Sequence, residues 1–212
     1  MASKRTFFPA AGWDWCLPIY DPLAKLMGAD AYCKKLIEQL ALVPGERFLD
    51  IGCGTGTLAV LIKQLHPCVA VVGLDPDPKA LARAARKAEQ AGVQVHFARG
   101  FSDQLPYSDA SFDRVSCFGV FSLLPRAEQE TTLREVRRVL RPGGSFHLFD
   151  LVDTQTRRGF FVRLLMPKWR RVRLSTADQT VALMREAGLT DPMKTGQQTF
   201  LLWTLASYQA SR

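Results

Sequence analysis

The chain has 212 residues, 47% of them hydrophobic and 23% charged, with a formal net charge of +8. That length and balance suit one globular domain with a continuous core, and they exclude a disordered polyelectrolyte or a short disulfide-stapled scaffold. No run approaches the roughly 20 apolar residues that cross a bilayer, and the start, Met1-Ala2-Ser3-Lys4-Arg5-Thr6, has no apolar signal core, so a cytoplasmic protein is expected.

In chain order, Asp30 is placed to cap a helix whose apolar positions Tyr32, Leu36, Ile37 and Leu40 recur at helical spacing. From Pro44 onward, short β-branched runs alternate with helical patterns, the signature of a parallel sheet covered by helices. The spacing predicts a first strand over 47–51, a glycine loop and a helix over 57–64. A continuous apolar run at 69–74 predicts a buried strand ending at Asp75. Asp77 then caps, and Pro78 opens, a helix stopping near Gly92. Strands follow at 93–98 and 112–118, a helix at 127–140, the turn Pro142-Gly143-Gly144, and a fifth strand at 145–149. Ser175 or Thr176 caps a helix reaching Ala187 and Gly188, and residues 199–208 read as a last buried strand.

The five cysteines are scattered, without paired metal-site spacing, and are expected to be reduced thiols. His147 alternates with Phe146 and Leu148 in mid-strand and reads as a core histidine; His66 and His96 lie away from strand carboxyl ends and read as structural.

The most informative stretch is Asp50-Ile51-Gly52-Cys53-Gly54-Thr55-Gly56-Thr57, a strand running through alternate glycines into a helix. Glycine admits the positive φ of a tight turn and lets backbone N–H groups approach a ligand. The spacing is G-x-G-x-G rather than the G-x-G-x-x-G that houses a pyrophosphate. Asp75, with Pro76 beside it, ends the second strand, where a carboxylate can accept both hydroxyls of an adenosine ribose. Cys53 reads as a small residue required by the loop rather than a nucleophile.

Together with Gly100-Phe101-Ser102-Asp103 leading into Ser111-Phe112-Asp113, and with Leu140-Arg141-Pro142-Gly143-Gly144, these residues resemble the class I S-adenosylmethionine-dependent methyltransferases, in the style of the ubiquinone and menaquinone C-methyltransferase-like (type 11) group. The resemblance implies a Rossmann-like, doubly wound α/β fold: a seven-stranded, mostly parallel sheet with an antiparallel last strand and helices on both faces. It implies S-adenosylmethionine as cofactor, with Gly52, Gly54 and Gly56 lining its methionine and ribose portion, Cys53 and Thr55 in the same loop, Asp50 orienting the loop and the ammonium, and Asp75 holding the ribose. Many relatives carry Asp where this chain has Phe101, so Ser102 and Asp103 are expected to read the adenine edge while Phe101 packs on the ring. Phe118 and Gly119 fall where relatives touch the methionine moiety. Tyr20, in a Tyr-Asp pair with Asp21, is expected to close over the cofactor.

Domain boundaries follow: a single methyltransferase domain made of an N-terminal helical lid (1–45), a cofactor-binding core (46–150), a basic acceptor-side insertion (151–174) and a final helix and strands (175–212). The insertion concentrates the charge. Between 151 and 173 there are seven basic residues, among them Arg170, Arg171 and Arg173, against one acid, Asp153, a local +6 interleaved with Phe160, Phe161, Leu164 and Trp169. A lipophilic or anionic acceptor, or contact with a membrane surface that makes the protein peripheral to it, is one reading; a solvated basic face is the other.

The acceptor class narrows by elimination. Residues 117–121, Cys-Phe-Gly-Val-Phe, lack the Asn/Asp-Pro-Pro-aromatic motif of enzymes that methylate base amino groups, which disfavours nucleic acid, and no acid cluster after the fifth strand suggests a metal. A small-molecule acceptor is therefore expected. Asp150, at the carboxyl end of the fifth strand, is the candidate general base, with Tyr20 beside it as a catalytic candidate. Two other readings stay open: a basic RNA- or membrane-surface-binding protein that keeps an inactive cofactor fold, and a nicotinamide-dependent dehydrogenase, which the glycine spacing disfavours.

Overall fold

A computed structural model of the chain describes Phe7 and residues 29–152, 174–200 and 203–212. Seven strands lie in the order β3-β2-β1-β4-β5-β7-β6, the expected mixed sheet. Along the chain the fold divides into two compact units, Met1–Phe101 and Ser102–Arg212.

In the first unit, helix α1 (Ala29–Leu40) precedes β1 (Arg47–Ile51), α2 (Thr57–Leu65), β2 (Ala70–Asp75), α3 (Pro78–Gln90) and β3 (His96–Arg99). Helix α1 begins at Ala29, so Asp30 lies inside its first turn rather than capping it. Its Leu36, Ile37 and Leu40 are buried as the spacing predicts. All three strands are parallel, Ile51 pairing with Leu74 and Asp75 with Arg99, which brings the loops after β1, β2 and β3 to one edge. Asp77 caps α3 by accepting from the Lys79 N–H at 2.8 Å, with Pro78 in the first turn.

Strand β3 starts three residues later than the apolar pattern suggests. Gly92 (φ 64°) donates to Glu89 O and Val93 to Ala88 O, a Schellman closure that takes Val93 for the end of α3. The same closure ends α5, through Gly188 (φ 81°) and Leu189.

The second unit holds β4 (Phe112–Phe118), a short 3-10 turn (Phe121–Leu123), α4 (Arg126–Val139), β5 (Leu140–Leu151), α5 (Ala177–Glu186), β6 (Thr190–Phe200) and β7 (Trp203–Ser211). Strand β5 pairs parallel to β4 and starts five residues before the sequence reading. Its first residues pair across a register shift, with Gly143 at φ 77° and Gly144 so close to Asp113 O that a Cβ would lie 2.8 Å away. Thr176 caps α5 in a capping box with Gln179.

Strand β7 runs antiparallel to both β5 and β6. Strand β6 escaped the sequence reading because it alternates poorly, carries Pro192 and Gly196, and is mostly exposed. Those are marks of a sheet edge, and the β6–β7 register shifts fall beside both residues. Among the described residues, no helix is long and apolar enough to cross a membrane.

Candidate cofactor site

The loop after β1 has a left-handed backbone at every glycine: φ is 71° at Gly52, 52° at Gly54 and 74° at Gly56. Its N–H groups are engaged within the protein. Those of Gly52 and Cys53 both donate to Leu74 O, at 2.8 and 3.0 Å, and that of Gly56 to Cys53 O at 2.8 Å. The Gly54 N–H donates to Asp75 Oδ2 at 2.9 Å. A phosphate cradle needs the reverse arrangement, with unengaged N–H groups converging on the anion.

Gly56 has a packing reason of its own. A Cβ there would sit 2.7 Å from Ala84 Cβ and 3.0 Å from Phe97 Cζ, so the glycine lets α2 start hard against α3. Lys87, near the end of α3, donates to the hydroxyls of Thr55 (3.2 Å) and Thr57 (2.7 Å) and pins the loop from outside. Nothing in the linear pattern marks Lys87; it becomes legible only once α3 is laid beside the loop.

Two buried carboxylates flank this loop. Asp50 is 2% exposed and Asp75 is 7% exposed. Asp75 Oδ1 accepts from the Asp77 N–H at 2.8 Å while Oδ2 holds Gly54, so each oxygen keeps a lone pair for a further donor. Burial pushes the Asp75 carboxyl above its ordinary range, against those two N–H groups and aided by the Asp77 charge. The Cys53 thiol is driven far up, first by burial and then by repulsion from Asp50 and Asp75. It lies where a Cβ on Gly73 would be 2.9 Å from its sulfur, a packing position, and it is inert as a nucleophile. Asp50 and Asp75 thus place acidic groups against the loop, opposed by the Lys87 ammonium on Thr55 and Thr57. After β3, Gly100 donates to Asp75 O at 3.2 Å, which sets Phe101 next in line beyond the end of β2.

In the second unit, the Ser102 hydroxyl is paired with that of Thr132 on α4 at 2.9 Å. The segment that follows is clasped by α4. Arg138 donates to Leu105 O (3.0 Å), Tyr107 O (2.7 Å) and Asp109 Oδ1 (2.8 Å), and is braced by Glu135, which accepts from the Leu105 N–H at 2.8 Å. The Arg138 hydrogen bond holds the Glu135 carboxyl below its usual range. The clasp went unread because Glu135 and Arg138 look like an ordinary solvated pair on a helix.

Phe118 closes β4, its ring edge-on to Phe149 with centroids 6.5 Å apart, and Gly119 follows at φ 67°, with room for a Cβ among the described residues. His147 is buried, with Nε2 2.9 Å from Ser145 Oγ, and burial drives it down to about 4, so it is neutral at pH 7 as a core histidine should be. Asp150 is 3% exposed, and burial pushes its carboxyl up to about 6. Its donors are the Ser122 hydroxyl (2.7 Å), the Ser122 N–H (2.5 Å) and the Leu151 N–H (2.6 Å). Tyr20 and the basic segment 153–173 lie outside the described residues.

Residues 48–144 match the family model of a methyltransferase domain. The demethylmenaquinone methyltransferase of Thermus thermophilus is 41% identical over 130 residues, 60% of this chain and 58% of that protein. The demethylmenaquinone methyltransferase of Thermotoga maritima is 29% identical over 194 residues, 80% of this chain and 82% of that protein. Among solved structures, the YcgJ protein of Bacillus subtilis superposes with a TM-score of 0.71 over 85% of this chain and 97% of that one, at 20% identity, which is a likeness of fold. The chain spans less than two thirds of the length of the Thermus relative. With the parallel strand order, the glycine loop and the family match coinciding on one segment, residues 48–144 are those of a methyltransferase domain.

Proposed function

We propose that the protein transfers the methyl group of S-adenosylmethionine to a small, apolar or lipid-like molecule. The observation that carries this reading is the make-up of the glycine loop: its N–H groups at 52, 53, 54 and 56 are engaged internally, and the buried Asp50 and Asp75 place acidic groups against it. S-adenosylmethionine, which carries an ammonium and a sulfonium, supplies an activated methyl group when bound.

The residues present fit that cofactor. Asp75 keeps acceptor capacity on both oxygens for the ribose hydroxyls. Asp50 and the loop carbonyls offer acceptors to the ammonium. Phe101 supplies an apolar face for the adenine, Ser102 and Asp103 its polar edge, and Phe118 and Gly119 the contact with the methionine. These residues position one partner and exclude water, which is much of what an in-line displacement asks of a protein.

The acceptor class rests on two supports. Demethylmenaquinone, a quinone, stands in the names of the Thermus and Thermotoga relatives, and the basic, aromatic stretch at 151–173 suits a lipophilic or anionic molecule, or a membrane that delivers one. The test is a panel of reduced quinones, phenols, thiols and amines incubated with methyl-labelled S-adenosylmethionine, with products identified by mass. A labelled quinone or phenol product is expected. Turnover restricted to hydrophilic amines would overturn the acceptor class, and cofactor binding without any product would overturn the transfer itself.

A further inference from the structure

The turn after β4 is fastened to β5 and α4 by buried contacts. Gly119 donates to Phe149 O at 2.7 Å, Gln129 Nε2 donates to Phe121 O at 2.9 Å, and Ser122 gives both its N–H and its hydroxyl to Asp150. Ser122, Gln129 and Asp150 are 5%, 3% and 3% exposed. The Leu151 N–H at 2.6 Å and the Phe121 amide also act on the same carboxylate. A general base needs a lone pair turned toward its substrate. Asp150 has its oxygens engaged by its own backbone and by the turn.

The turn has room at Gly119. Its φ is 67°, and among the described residues beyond its chain neighbours no heavy atom comes within 4 Å of where a Cβ would be. A loop that is rigidly tied on its buried side, with such room beside it, has the form of a binding wall. Burying a carboxylate is costly unless its hydrogen bonds are complete, and here their completeness fixes the wall.

We propose that Asp150 is a positioning residue rather than the proton acceptor: through Ser122 it fixes the turn at 119–123, against which the methionine end of S-adenosylmethionine lies. This rests on the methyltransferase reading above. It assigns Ser122, which no sequence motif marks, a role in cofactor affinity.

The test uses the full chain and S-adenosylhomocysteine as calorimetric probe, with hydrogen exchange followed at residues 119–123. Ser122→Ala should raise the dissociation constant about 3- to 10-fold and speed exchange in the turn. Ser122→Thr, which keeps the hydroxyl, should restore both. Asp150→Asn should weaken binding further, since an amide donor then faces N–H donors. A catalytic base predicts the opposite split: Asp150→Asn that binds S-adenosylhomocysteine like wild type but loses turnover overturns the proposal. So does Ser122→Ala with wild-type affinity and exchange. If Ser122→Ala does not fold, Ser122→Cys, a weaker donor of similar size, is read the same way. Failure of the wild type to bind S-adenosylhomocysteine would instead overturn the methyltransferase reading, and this role with it.

Discussion

Replacing Asp75 with alanine tests the cofactor site and the loop architecture together. The carboxylate accepts from the Gly54 N–H at 2.9 Å and the Asp77 N–H at 2.8 Å, at 7% exposure. Removing it leaves two N–H groups without an acceptor, at about 1 to 3 kcal/mol each. Part of that is returned because a buried carboxylate, already pushed toward its neutral form, no longer has to be desolvated. The net loss of stability should be roughly 1 to 4 kcal/mol, read by urea unfolding. Cofactor affinity should fall separately, by roughly 1.5 to 3 kcal/mol, as charge-assisted bonds to the ribose hydroxyls disappear, which is about a 10- to 150-fold weaker dissociation constant. Calorimetry with S-adenosylhomocysteine, well below the variant's melting temperature, separates the two effects. A folded variant with unchanged affinity would refute the placement of the ribose on Asp75. Unchanged stability would refute the account of the loop as pinned through that carboxylate.

Gly56→Ala should lower stability by roughly 2 to 5 kcal/mol, combining a left-handed φ of 74° with a Cβ 2.7 Å from Ala84, and a thermal melt with denaturant titration checks it. The Asp150 carboxyl sits at about 6 in the folded chain against an ordinary 3.8, so the folded state binds the proton more tightly; the stability this contributes is fully present below about pH 4 and is lost, by about 3 kcal/mol, as pH rises to about 6. Unfolding free energies of wild type and Asp150→Asn at pH 4.5 and pH 7 should diverge in that sense, and a parallel pH dependence would refute it. Changing Arg170, Arg171 and Arg173 to Gln should leave S-adenosylhomocysteine affinity unchanged while raising acceptor KM or weakening binding to anionic vesicles, with a difference that shrinks as salt rises. Equal acceptor kinetics and vesicle partitioning at low salt would leave the stretch a solvated basic face.

Sequence by itself determined the class of fold and the position of the glycine loop proposed to hold the cofactor. Strand β2 was legible because a buried parallel strand is a continuous apolar run, and the Asp77-Pro78 start and Gly188 end of helices were legible because caps are local chemistry. Edge strand β6 was not, since an edge strand needs no apolar alternation and tolerates Pro192 and Gly196. The functional groups divide in the same way. Asp50, Asp75 and the glycines announce themselves by order and spacing along the chain. Which way their hydrogen bonds run does not: that the loop's N–H groups are turned inward, that Lys87 holds it from outside, and that Asp150 accepts from Ser122 depend on contacts between residues about 20 to 30 positions apart in sequence. Backbone direction and side-chain partners across such distances are set by packing, which periodicity does not encode. A carboxylate at the end of a strand therefore looks the same in sequence whether it faces a substrate or fastens a turn, and only the tertiary structure separates the two.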